Sequence, residues 1–150
     1  MRQPLITLLF SISLSLAAFY AMSENKPESF TTPEDAINAY ITGVTTGSGD
    51  HVMSAFSEHA RIQYYNQNDR FMDYTRDNFA ADVDKGDNWD AEVKISNLQI
   101  TGKAANAKID FTWGEKAEHG YVDYLNLIQG ADGWRITNKV AQYIKRSPAS

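Results

Sequence analysis

Apolar residues recur at helical spacing in "PEDAINAYITGVTT", where Ala36, Ile37, Tyr40, Ile41 and Val44 fall on one face. Thr32 can cap that helix, Pro33 suits its first position, and Asp35 is placed for a capping box. "SGDHVMSAF" predicts a second, short helix capped by Asp50 or Ser48 and burying Val52, Met53 and Phe56. The period then changes to two in "ARIQYYN", a strand with Ile62 and Tyr64 on one face. "YTRDNFAADVDKG" predicts a third helix of about ten residues, with Thr75 as cap, Phe79 and Val83 as its buried stripe and Gly86 as its stop.

From Asp90 onward the pattern is that of strands. "DAEVKISNLQIT" turns Val93 and Ile95 inward, then Leu98 and Ile100, and the one-residue slip at Ser96-Asn97 predicts a β-bulge. "AANAKIDFTW" alternates cleanly, with Ala105, Ala107, Ile109, Phe111 and Trp113 on one face. "YVDYLNLIQGADGWRITNKV" is a hairpin around Gly130-Ala131-Asp132-Gly133. Asp123 and Asn126 lie on opposite faces of its first strand and share one pocket only if a bulge intervenes. Along its second strand Trp134, Ile136, Asn138 and Val140 share a face, with Arg135, Thr137, Lys139, Ala141 and Tyr143 on the other. A bulge there would change which set looks inward. The order α-α-β-α-β-β-β-β predicts an α+β domain: a curved antiparallel sheet packed on one face by N-terminal helices, leaving a conical cavity.

Ahead of this domain stands "MRQPLITLLFSISLSLAAFYAMSENK". One Arg, an apolar run and small residues ending in Ala21-x-Ser23 have the layout of a secretory signal peptide. The expected organisation is a signal peptide over 1–23, a leader over 24–31, the domain over 32–146 and a loose tail over 147–150. The 14 Lys and Arg against 19 Asp and Glu give a net charge of −5, more negative still once Arg2 is removed. That balance opposes binding to nucleic acid or anionic lipid. The chain has no Cys, so an exported protein of this sequence is held by packing alone. A bacterial periplasmic or secreted location is expected, with no membrane contact after cleavage.

The stretch "PEDAINAYITGVTTGSGDHVMSAFSEHARI", followed by "DYLNLIQGADGWRITNKV", resembles the nuclear transport factor 2-like superfamily. More narrowly it resembles the bacterial group labelled putative lumazine-binding, related to polyketide-cyclase-like and ketosteroid isomerase-like domains. The resemblance covers roughly residues 32 to 146. It implies a conical fold with a pocket between sheet and helices, and a homodimer through the open sheet face. The apolar residues on both faces of "YVDYLNLI" point to the same second cover.

Ketosteroid isomerase chemistry needs a carboxylate base, a Tyr and a protonated Asp. By resemblance the base position falls near Tyr64, a phenol with an ordinary pKa of ~10 and a poor base. The acid position falls near Asn126, which cannot replace a base. Tyr40 could donate to a ligand carbonyl. Asp123 is the remaining carboxylate: a base if it points into an apolar site, or a strand-end residue paired with Lys139 or Arg135. His51, His59 and His119 show no metal-ligand spacing and read as surface residues, so neither metal nor cofactor is implied. The aromatics Tyr40, Phe56, Tyr64, Trp113 and Trp134 are candidate pocket walls, and Asp123, Asn126, Asn138 and Gln142 candidate polar anchors. The reading is an exported, non-catalytic domain binding a small apolar or heterocyclic ligand in an aromatic-lined pocket. The alternatives are an isomerase, cyclase or dehydratase using Asp123 or Tyr40, and a dimeric structural or protein-interaction domain.

Overall fold

Local capping sets the helices. In the computed structural model, which describes residues 28–147, helix α1 spans Pro33–Thr46. Thr32 Oγ1 accepts from the Asp35 amide and Asp35 Oδ2 accepts from the Thr32 amide, each at 3.2 Å. This capping box satisfies two amides that the first turn would otherwise leave unpaired. Gly47 ends the helix in the left-handed region at φ 68°. Helix α2, Gly49–Ala55, starts after Ser48, whose side chain makes no capping bond. Instead the Gly49 amide donates to Asp84 Oδ1 at 2.6 Å, tying α2 to the end of helix α3, Arg76–Val83. Thr75 caps α3 by accepting from the Asn78 amide. The helix stops before Gly86, and so is shorter than its pattern predicts. The expected signal peptide, the first half of the leader and the last three residues lie outside the described residues.

Six strands follow the order β2-β1-β6-β5-β4-β3. They are β1 Phe56–Tyr65, β2 Phe71–Thr75, β3 Glu92–Thr101, β4 Ala104–Trp113, β5 His119–Gly130 and β6 Gly133–Lys145. Two expectations need correction. Phe56 opens β1 rather than closing α2, though it is buried as expected. The sheet is also mixed: β1 runs parallel to β6, while all other pairs are antiparallel. Hairpin logic fixes the direction of strands adjacent in sequence. It is silent on β1 and β6, which pair although they lie far apart in the chain. β2, unforeseen, alternates only between exposed and half-buried positions, so its hydrophobic signal is faint.

Two bulges matter for the site. In β3, Ile95 pairs with Ile109 and Asn97 with Lys108, leaving Ser96 as the extra residue where the sequence predicted a slip. In β6, Ile136 pairs with Leu127 and Asn138 with Asn126, so Thr137 is the extra residue. One added residue flips every later side chain to the other face. Trp134 and Ile136 therefore point inward before the bulge, and Lys139 and Ala141 after it. The helices cover the inner sheet face, with Ala36, Ile37, Ile62, Ile109, Leu125 and Ile136 in the core. On the outer face Tyr124, Ile128 and Val140 are exposed. Ile100, expected inward, is exposed as well. Among the described residues no helix is long and apolar enough to cross a membrane.

Candidate functional site

Between the helices and the inner sheet face lies a cavity of about 180 Å³. Tyr40 and Val44 of α1, Phe79 and Val83 of α3, Tyr64 of β1 and Trp89 form much of its wall, with Phe111 of β4 and Tyr121 of β5. Trp89 comes from the acidic loop before β3. Its amide donates to the Thr45 carbonyl at 2.8 Å, and its ring stacks on Phe111 at 5.1 Å and 13°.

Asp123 and Lys139 supply the polar end of this apolar wall. Asp123 is fully buried, and Lys139 nearly so. Lys139 Nζ lies 3.0 Å from Asp123 Oδ2 and donates to the Tyr40 hydroxyl at 2.6 Å. The Tyr40 hydroxyl in turn donates to Asp123 Oδ2 at 2.5 Å. The ammonium also sits 5.1 Å from the Phe79 ring centre and 5.5 Å from that of Tyr64, a cation–π environment. A buried carboxylate needs a counter-charge and hydrogen-bond donors. Asp123 Oδ2 has both, whereas Asp123 Oδ1 is buried with no partner.

Burial, reinforced by the Asp123 charge, raises the Tyr40 phenol well above its ordinary pKa. Tyr40 thus keeps its proton and serves as a donor. Burial, and then the Asp123 charge, raises Tyr121 too. Tyr64 is raised by burial and then by Tyr74. Among the described residues no three His, Asp or Glu stand together as a metal site.

The family model described as "Putative lumazine-binding" matches residues 28–142. The chain belongs to this lumazine-binding family. No curated protein matches its sequence. Its fold is shared with NTF2-like proteins of unknown function from Silicibacter pomeroyi DSS-3 and Shewanella baltica OS155. The first is 20% identical at TM-score 0.64, covering 73% of this chain and 91% of that one. The second is 19% identical at TM-score 0.63, covering 78% and 92%. A ketosteroid isomerase-like protein from Erwinia carotovora atroseptica SCRI1043 is 16% identical at TM-score 0.60, covering 77% and 94%. At these identities the similarity shows the fold alone.

Within this member of the lumazine-binding family, the sequence-predicted residues divide. Tyr40, Tyr64 and Asp123 meet at the cavity. Phe56 lies behind it, edge-on to Tyr40 at 5.4 Å, and Trp113 packs behind Trp89 and Tyr121. Trp134 is buried elsewhere, its amide donating to the Phe30 carbonyl. Asn126, Asn138 and Gln142 do not line the cavity, which corrects their expected placement. Asn126 and Asn138 pair with each other at 3.5 Å on the outer face, and Gln142 is exposed there. His51 and His59 are exposed, but His119 is half-buried, stacked on Trp113 and bonded to the Tyr143 hydroxyl at 2.7 Å.

Sequence reasoning missed Trp89 and the inward Lys139. A lone Trp within a run of acidic residues was a usable signal. Lys139 carried a weaker one, as a possible partner of Asp123.

Proposed function

We propose that this domain is exported and binds a compact, flat ring compound in its aromatic cavity without transforming it. The carrying observation is the cavity of about 180 Å³ whose apolar wall ends in Tyr40, Asp123 and Lys139. For scale, an engineered apolar cavity of ~150 Å³ takes up benzene, so a single ring fits and a compact heterocycle is near the limit. The family's description as lumazine-binding supports a heterocyclic ligand. The lack of turnover is supported by the way Asp123 is held: Oδ2 is engaged by both Tyr40 and Lys139. Export is supported by the N-terminal apolar run, which has the layout of a secretory signal peptide. A homodimer is supported by the exposed Tyr124, Ile128 and Val140 on the outer sheet face.

Trp89 lines the cavity, so an entering ring should quench tryptophan fluorescence. Titration of the mature protein with lumazine and single-ring heterocycles should give saturable quenching, lost when Val83→Phe fills the space. Absence of saturable binding across the series overturns the reading. Expression of the whole chain in a bacterium should place it outside the cytoplasm, with a new N-terminus near Glu24.

The second reading, an isomerase, cyclase or dehydratase, is favoured by one observation, the buried Asp123 in contact with Tyr40. Proton exchange from a ring ketone into deuterated water, abolished in Asp123→Asn, would establish it over simple binding.

A further inference from the structure

We infer that the polar end of the cavity reads a neutral lactam-type edge: an N–H beside a C=O in one ring, as in lactams, cyclic imides and cyclic ureides. This rests on the cavity being a ring-binding site, and it names the chemistry that site selects.

Tyr40 has one hydroxyl proton, and gives it to Asp123 Oδ2. Lys139 has three ammonium protons. One is given to the Tyr40 hydroxyl at 2.6 Å, while Asp123 Oδ2 lies 3.0 Å away as the counter-charge. The remaining N–H groups have the ring faces of Phe79 and Tyr64 around them. Aromatic faces are weak acceptors, and a carbonyl oxygen displaces them readily. Asp123 Oδ2 already accepts from Tyr40 and has the ammonium beside it, while Asp123 Oδ1 is buried and accepts from none. A buried acceptor without a donor is unfavourable, so Oδ1 is the stronger of the two demands on a ligand. What the site leaves open is therefore an acceptor and at least one donor, belonging to two side chains in direct contact.

Charge narrows the class further. Asp123 and Lys139 cancel, and both are buried among apolar walls. A charged ligand would bring an ion into that space with no counter-charge left to meet it. A carboxylate would also face Asp123 Oδ1, and a protonated amine would face Lys139. An alcohol or phenol can donate and accept only through its single oxygen, which would have to reach both groups at once. A ring amide in its cis form offers donor and acceptor side by side in the plane of the ring. Trp89, Phe111 and Tyr121 provide flat walls against which such a plane can lie.

The test uses the unaltered mature protein and a matched ligand series, read by tryptophan quenching and calorimetry. 2-Pyridone carries both groups, N-methyl-2-pyridone lacks the N–H, toluene has only the ring, and benzoate adds a negative charge. The expected result is 2-pyridone binding about tenfold or more tighter than N-methyl-2-pyridone and toluene, with benzoate weakest. N-Methyl-2-pyridone or toluene binding as tightly as 2-pyridone overturns the lactam edge but leaves the ring-binding cavity standing. Benzoate binding tightest overturns the charge argument and the inference with it. If no member of the series binds saturably, the inference falls together with the cavity reading beneath it.

Discussion

Asp123 is the residue on which the interior depends. A fully buried carboxylate at 3.0 Å from a buried ammonium is a matched pair, and removing one partner leaves the other uncompensated. Lys139→Met should therefore destabilise the fold by about 3–5 kcal/mol in urea unfolding. The double variant with Asp123→Leu should recover most of that loss, because an apolar pair replaces the ion pair without stranding a charge. Tyr40 adds a pH dependence. Burial, and then the Asp123 charge, holds its pKa above the ordinary value, so the folded protein keeps a proton that the unfolded chain releases at pH above ~10. The stability tied to this group is complete below that pH and is lost as pH rises beyond it. Tyr121 and Tyr64 shift in the same direction. Melting temperature followed by circular dichroism should fall above about pH 10. Phenolate absorbance from these three rings should then appear together with unfolding rather than ahead of it.

At the scale of elements, the bulge at Thr137 decides which residues enter the cavity. It turns Lys139 inward beside Leu125 and Ile62, its cross-strand neighbours. Deleting Thr137 leaves Ile136, Asn138 and Lys139 opposite Leu127, Asn126 and Leu125 in strict alternation, so Lys139 keeps its inward place. Ring binding should therefore survive the deletion in the same fluorescence titration, and its loss would show that the local bend of the bulge itself shapes the cavity. The capping box of α1 is a local contribution by comparison. Thr32→Ala should cost about 1 kcal/mol and leave ring binding intact, since Tyr40 lies two turns further along the helix.

For the whole molecule, the two faces of one sheet serve different ends. The inner face meets the helices and holds the cavity, while the outer face exposes Tyr124 at 55%, Val140 at 47% and Ile128 at 46%. With Asn126 and Asn138 between them, these residues suit contact with a second copy of the chain. Light scattering should report a dimer for the mature protein and a monomer for Tyr124→Asp. A monomeric wild type would leave this face without its proposed partner.

The three helices, the caps of α1 and α3, the order of the hairpin strands and the slip in β3 were legible in the chain. These depend on short-range periodicity and on side chains bonding to nearby backbone. The sequence also placed Asp123 and Asn126 on opposite faces, because alternation along a strand is a local property. Long-range pairing fixed which of those faces holds the cavity, that β1 runs parallel to β6, and that the bulge at Thr137 brings Lys139 inward to meet Asp123 and Tyr40. Each of those outcomes depends on pairing between residues far apart in the chain. One extra residue in β6 is enough to reverse the reading of every side chain after it.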